Sequence, residues 1–293
     1  MEKIQYHLPG LFEFYELYRR LLPLYKEHPE YFYDWFEIGS IYGAPSYCLW
    51  GGGRISDGQA SIGDVLSLME EYEISSRLTF SNSLLEADHL QDVSCNELCK
   101  IFEAGKVTNG VIVHSERLLN YLMETYPDLY FVSSTTKVLL DPSLFLKEIN
   151  REEFRYVVPD FRFNKKLSLL DHVDHKEKIE LLCNECCDFG CMKRKECYEA
   201  VSEFVLGKRT QESICPSKES GYRFSKAMEN PGFISVGAIQ NVYRPLGISN
   251  FKIEGRGLGS AMVFEMLLYY MVKPAYQIYV REALYLENML DLF

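Results

Sequence analysis

The sequence predicts an α/β fold, a (β/α)8 TIM-barrel-like parallel barrel with a Cys-rich insertion. Three observations lead there: about eight short β-rich runs recur along the chain, most are separated by helical stretches, and their C-terminal ends collect polar side chains. A parallel strand pair needs a long crossover, usually a helix, so strand and helix patterns that alternate imply a parallel sheet. Eight such units suggest closure, and in a closed barrel the C-terminal strand ends form the mouth where chemistry is done. The 293 residues suit one such barrel, which commonly runs to about 250 residues, so a single domain over 1–293 is expected.

Taken in order, residues 1–35 read as an N-terminal helical segment, because Leu11, Phe12, Tyr15, Tyr18, Leu21 and Leu22 recur at three- and four-residue spacing. Two extended runs follow, Phe36 to Ile41 and Tyr47 to Trp50, the second entering Gly51-Gly52-Gly53-Arg54. Helical patterns over Ile62 to Tyr72, Asn96 to Phe102 and Glu116 to Thr125 alternate with β-rich runs at Leu78 to Asn82, Gly110 to Ser115 and Leu129 to Ser134. Phe154 to Val158 and Lys178 to Leu182 are two further strands. Asn250 to Glu254 is the last, backed by a helix over Leu258 to Val272. The polar residues at the run ends include Tyr42, Arg54, Asn82, His114, Ser134, Asp160, Asn184, Glu254 and Arg256. Helix capping and turn formation are the lesser alternative account of polar residues at such places.

A hydrophobic share of 47% with 25% charged residues is that of a folded globular chain. The net charge of −11 argues against bulk nucleic-acid binding, which needs clustered Lys and Arg. No secretion signal is read at the N-terminus, and the longest apolar run, Ala261 to Val272, is interrupted by Glu265 and falls short of the roughly 20 residues a membrane span needs. A cytoplasmic location is therefore expected, with no membrane partner.

Five of the nine cysteines lie between Cys183 and Cys197, and Cys215 follows in Ile-Cys-Pro. In a reducing compartment such density points to a metal or redox site before disulfides. Cys183, Cys187 and Cys191 are four apart and would share a helix face, but the apolar run before Cys183 puts that residue at a strand end. Cys187 and Cys191 are then the better pair, with Cys197 and Cys215 able to complete a four-thiolate set suited to zinc or an iron-sulfur cluster. The alternative is reduced thiols packed without a ligand role, as expected for the upstream Cys48, Cys95 and Cys99. His172 and His175 are spare candidate ligands that a solvated loop explains as well. The Cys-rich segment and the aperiodic stretch after it, 183–236, read as an insertion near the barrel mouth.

Lys252-Ile-Glu-Gly-Arg-Gly-Leu-Gly-Ser is a strand running into a helix through three glycines, with spacing that matches neither the dinucleotide fingerprint nor the P-loop. Glu254 and Arg256 are candidates for an acid/base group and an anion clamp, or for a structural ion pair. Asn184-Glu185 with Cys187, Cys191 and Arg194, followed downstream by Phe251-Lys-Ile-Glu-Gly-Arg256, resembles the collagenase-like peptidase family, peptidase family U-32. That resemblance implies a barrel-type catalytic domain. It further implies a 4Fe-4S cluster on Cys187, Cys191, Cys197 and Cys215 and oxygen-independent hydroxylation, with a prephenate-like oxygen donor. The usual alternating first strand of such barrels is not evident, and the cysteine spacing departs from that of the quinone-hydroxylating members.

The leading expectation is an iron-sulfur enzyme acting on a small anionic or aromatic molecule. Glu254, Arg256, Asn82 and Asp160 would be catalytic, and Arg54, Arg162, Arg194 and Tyr42 would bind substrate, since guanidinium groups hold carboxylates well. A peptidase or other hydrolase is the first alternative. A scaffold or complex subunit with a protein partner and a structural zinc is the second. The aromatic-rich segment from Tyr276 to Phe293 is expected to pack on the barrel.

Overall fold

The computed structural model describes residues 3–53, 58, 60–211, 215 and 223–285. Eight parallel strands run β1 (Ile4–Pro9), β2 (Phe36–Gly43), β3 (Ser75–Phe80), β4 (Gly110–Val113), β5 (Tyr130–Ser133), β6 (Phe154–Val157), β7 (Glu180–Leu182) and β8 (Asn250–Lys252). Their order in the sheet is β6-β5-β4-β3-β2-β1-β8-β7. A parallel bridge between Val157 and Ile179 joins the β6 end to the β7 side and leaves the barrel nearly closed. The predicted barrel is thus the observed one.

Helices return the chain on the outside: α1 (Tyr15–Glu27), α2 (Ile62–Glu71), α3 (Val93–Glu103), α4 (Glu116–Thr125), α5 (Pro142–Ile149), α6 (Leu167–Asp171), α7 (Arg194–Val205), α8 (Phe224–Met228), α9 (Val236–Ala238), α10 (Ser260–Met271) and α11 (Gln277–Tyr285). Several start where the sequence supplies a capping oxygen. The side chains of Ser61, Asp92, Ser115 and Asp141 accept from the backbone N–H groups of Asp64, Cys95, Leu118 and Ser143. This satisfies donors the first turn leaves orphaned. No described helix is long and apolar enough to cross a membrane.

Strand periodicity divides the core. Val111, Val113 and Phe131 face outward into the large core shared with the helices. Ile112 and Val132 face inward, where with Tyr42, Val158 and Leu182 they make a separate apolar layer across the barrel. Below it the interior is charged: Arg77, Glu180 and His7 are all buried. Arg77 donates to Glu180 at 2.5 Å, and Tyr156 and Tyr130 present ring faces to its guanidinium at 4.7 and 5.5 Å. His7 meets Ser40 at 2.9 Å and Asn250 at 3.3 Å.

Two expectations about elements are corrected. The first strand is Ile4–Pro9, inside the segment expected to be helical: Ile4, Tyr6 and Leu8 are buried in the outer core while His7 points into the barrel. This is the alternating first strand, and α1 begins only at Tyr15. The run Tyr47 to Trp50 is instead a succession of turns, with Cys48 N–H bonded to Pro45 O and Gly51 N–H to Cys48 O. Its apolar residues reflect burial under a loop. Trp50 is fully buried, packs edge-on against Phe80 at 5.2 Å and donates its indole N–H to His89 O.

Residues 184–193 form no helix, so the four-residue cysteine spacing does not make a face. Cys183 is buried just past β7, as its apolar approach predicts, and Cys48, Cys95 and Cys99 are buried too. Tyr276 stacks on Tyr31 at 4.8 Å, so the described part of the C-terminal segment packs against the barrel, while 286–293 lie outside the described residues.

Candidate functional site

The C-terminal ends of the strands enclose a pocket of about 610 Å³, measured with its opening to solvent. Tyr42, Thr79, Ile112, Val158 and Leu182 form its floor, and Ser134 to Thr136, Glu185, Tyr198, Glu254 and Arg256 are in its walls. This is the end at which barrels of this kind do chemistry.

β8 and the turn after it supply the charged wall. Lys252 faces inward over the Tyr42 ring, with Nζ 3.4 Å from the ring centre, while Tyr42 itself is anchored by donating its hydroxyl to Ile253 O at 2.7 Å. Below it, Glu180 lies 3.5 Å from Nζ. Burial lowers the Lys252 pKa, Glu180 opposes the fall, and Arg77 and Arg256 add to it, leaving the amine at about 7. Burial would raise Glu180, but Arg77, His7 and Lys252 overcome it and hold the carboxyl at about 2. Arg256 is backed by Glu13, whose carboxylate lies 3.8 Å from Nη1 in a buried position. Burial raises the Glu13 pKa against the pull of Arg256.

Thr79 and Ser81 add polar groups with no internal use. Both residues are buried, and their hydroxyl oxygens have no hydrogen-bond partner among the described residues. Unmet hydrogen bonding in a buried group costs free energy, so a pocket wall that keeps two such hydroxyls is suited to a polar ligand.

The cysteine segment and the Lys-Ile-Glu-Gly-Arg segment meet at this rim. Asn184 and Glu254 bond reciprocally, Asn184 Nδ2 to Glu254 O at 3.1 Å and Glu254 N–H to Asn184 Oδ1 at 2.8 Å. The Cys186 N–H donates to the Glu254 carboxylate at 3.1 Å, and the Cys187 N–H donates to Glu185 at 3.0 Å. Glu185, Cys186 and Glu254 present ligand atoms that all lie within 4.8 Å of one another. Among the described residues, Cys187, Cys191, Cys197 and Cys215 are not gathered that tightly, although all four are half-buried. A multi-iron cluster spreads its thiolates more widely than a single ion does.

Of the residues expected from sequence, Tyr42, Glu254 and Arg256 line the pocket. Asn82 is buried and spent on loop structure, donating to Leu49 O and accepting from Leu84 N–H. Asp160, Arg162 and Arg194 form a network of their own: Arg162 Nε reaches Asp160 at 2.6 Å, and Arg194 pairs with Asp160 at 3.4 Å and Glu185 at 2.5 Å. Burial lowers the Arg194 pKa but Glu185 more than offsets it, so Arg194 stays charged and holds Glu185 in place. Arg54 lies outside the described residues. His172 donates its ring Nδ1–H to Ser168 O of α6 at 2.6 Å and His175 contacts Glu177, both exposed.

Sequence reasoning missed Lys252, Thr79, Glu185, Cys186, Glu180 and Glu13. A signal existed for two of them: Asn250, Lys252 and Glu254 alternate as polar residues in an otherwise apolar strand, and Glu180 opens an apolar run.

No family model and no curated protein matches this sequence. The structure is similar to the solved structure of the U32 peptidase Mk0906, with a TM-score of 0.55 over 87% of this chain and 94% of that one, at 14% identity. The chain has a U32 peptidase-like fold. At that identity the likeness speaks to architecture, and the chemistry has to be argued from the pocket.

Proposed function

We propose that this chain is a U-32 peptidase-like barrel enzyme that holds a 4Fe-4S cluster in its Cys-rich segment and carries out oxygen-independent hydroxylation or related redox chemistry. Its substrate is a small anionic or aromatic molecule in the pocket at the strand C-terminal ends. The observation that carries this reading is the junction of the two motifs, with Glu254 bonded to both Asn184 and the Cys186 N–H beside the pocket. Thiols are thereby tied to the same rim as Arg256.

The donor set suits the cofactor. Cys187 and Cys191 lie in the irregular stretch before α7, Cys197 in the first turn of α7 and Cys215 beyond its end; all four are half-buried thiols, and soft sulfur donors are what a cluster uses. A bound cluster would supply one-electron chemistry. This chain's own residues would do the rest: Arg256, steadied by Glu13, fixes an anionic group; Thr79 and Ser81 offer hydroxyls; Lys252, near neutrality, accepts or donates a proton at Nζ.

A hydrolytic reading keeps one specific support, the Glu185, Cys186 and Glu254 trio, whose spacing would suit a single ion with a bound water. Iron and acid-labile sulfide measured on protein purified without oxygen separate the two readings. Iron with sulfide, lost in Cys187→Ala and Cys191→Ala but kept in Cys183→Ala, is the expected result. Stoichiometric zinc without sulfide would favour hydrolysis or a structural site. No metal after anaerobic reconstitution would overturn the cluster.

A further inference from the structure

Lys252 differs in setting from an ordinary interior lysine. It is only 6% exposed, yet its amine lines the pocket, and the groups around it are contributed by five strands or their ends. Tyr42 of β2 offers a ring face at 3.4 Å, Arg77 of β3 and His7 of β1 lie below, Glu180 of β7 is at 3.5 Å, and Arg256 follows β8. Glu180 is already engaged by Arg77 at 2.5 Å, so its single charge is divided between that guanidinium and Lys252, while the neutral His7 ring lies 3.6 Å away. Burial of the amine and the two guanidiniums around it, Arg77 below and Arg256 on the same wall, disfavour its charged form, against the pull of Glu180 and of the Tyr42 ring face.

A neutral amine is a nucleophile toward carbonyl carbon. Arg256 stands on the same wall, its guanidinium 5.9 Å from the Tyr42 ring that Lys252 covers. The buried Ser81 hydroxyl is on this side as well: a methyl group built on Gly53 would lie 2.3 Å from Arg256 Nη2 and 3.7 Å from Ser81 Oγ. Neither the Thr79 nor the Ser81 hydroxyl has a hydrogen-bond partner among the described residues. The pocket therefore combines an amine, a carboxylate-binding guanidinium and two hydroxyls that lack partners.

We propose that Lys252 captures a carbonyl compound bearing a carboxylate, of the 2-oxo acid class, as an imine, with Arg256 holding the carboxylate. The Nζ lone pair attacks the carbonyl carbon, and the carbonyl π electrons move to oxygen, which takes up a proton. The resulting carbinolamine then expels that oxygen as water while nitrogen loses its protons to the medium. One C–N double bond replaces one C–O double bond, one water is released and no electrons are exchanged. Thr79 and Ser81 supply hydrogen bonds to the departing oxygen. This inference rests on the reading of the pocket as an anion site and is independent of the cluster, so loss of one leaves the other standing.

The test uses the whole chain with pyruvate and cyanoborohydride, which reduces an imine to a stable secondary amine. Intact mass and peptide mapping then locate the product, which adds the mass of the acid less one oxygen. At pH 7.5 Lys252 should be labelled at least about tenfold faster than exposed lysines, whose ordinary pKa near 10.4 leaves them protonated. Lys252→Met should lose that product alone. Arg256→Gln, which keeps the amine, should slow labelling by pyruvate about tenfold while changing labelling by propanal less than about twofold, since only the acid needs the guanidinium. Labelling of wild type spread evenly over surface lysines would overturn the proposal. So would Lys252 labelling by pyruvate that Arg256→Gln leaves unchanged.

Discussion

Arg194 and Glu185 form an ion pair at 2.5 Å with both side chains almost wholly removed from water. Glu185 in turn accepts the Cys187 N–H, so one guanidinium at the start of α7 fixes the path of the cysteine segment. Breaking a buried pair by removing one partner leaves an uncompensated charge and typically costs about 3–5 kcal/mol. Arg194→Gln should lower stability by that order in urea unfolding. It should also raise the alkylation rates of Cys186 and Cys187 under native conditions. A loss of stability with unchanged thiol reactivity would show that Arg194 serves the fold and not the segment.

The barrel interior makes stability depend on pH in a determined direction. Burial and the Arg77 charge hold His7 at about 3, and burial and Lys137 hold His114 at about 4, both below the ordinary histidine value of 6.5. Between 6.5 and those values the unfolded chain binds protons that the folded chain refuses. Stability therefore falls with falling pH by about 1.4 kcal/mol per pH unit for each histidine. Glu180, held at about 2 against an ordinary 4.5, adds a loss of the same sign as pH drops through that lower window. Urea midpoints should decline from pH 6.5 downward, and His114→Gln should shallow the decline. A profile flat from pH 7 to 5 would contradict the buried setting of His7 and the half-buried setting of His114.

The reach of sequence reasoning is clearest at β1 and at Trp50. The strand–helix alternation implied the barrel because helix return and strand pairing leave periodic traces in a single chain. His7, however, is polar and inward-facing, and its role depends on Ser40, Asn250 and Glu180, which are distant in sequence. Tyr47 to Trp50 imitates a strand because apolar content reports burial and not extension. Glu254 and Arg256 were legible from a motif. Asp160 reads as a catalytic group and Arg194 as a substrate clamp because a charged side chain reads the same in sequence whether its partner is a substrate or, as here, Arg162 and Glu185. The inward placement of Lys252 leaves a trace in the polar alternation of its strand, but the shift of its amine comes from burial among distant elements, which no local pattern displays.

Removing the Glu180 charge should act on Lys252 as well as on the fold. In Glu180→Gln, Arg77, His7 and Lys252 lose their shared counter-charge, so the Lys252 amine should titrate below its value of about 7 and His7 should resist protonation further. The pH at which cyanoborohydride labelling of Lys252 is half-maximal should move downward, with stability reduced by a few kcal/mol. An unchanged midpoint would mean that Glu180 is not the group that charges the amine.

The three consecutive glycines at 51–53 separate a stability effect from a ligand effect within two adjacent positions. A methyl group on Gly52 would lie 2.4 to 2.5 Å from the backbone of Ser81 and Asn82, atoms that cannot turn aside. On Gly53 it would meet Arg256 Nη2 at 2.3 Å, the far end of a flexible side chain. Gly52→Ala should therefore force the loop off β3 and cost about 1–3 kcal/mol, the usual range for overpacking. Gly53→Ala should cost less in unfolding because Arg256 can swing away, but the swing removes the guanidinium from the wall it shares with Lys252. Labelling of Lys252 by pyruvate should then fall about tenfold in Gly53→Ala while labelling by propanal holds, the same signature expected of Arg256→Gln. If Gly53→Ala instead proves the more destabilising of the two and binds pyruvate normally, Arg256 is not the group that the third glycine makes room for.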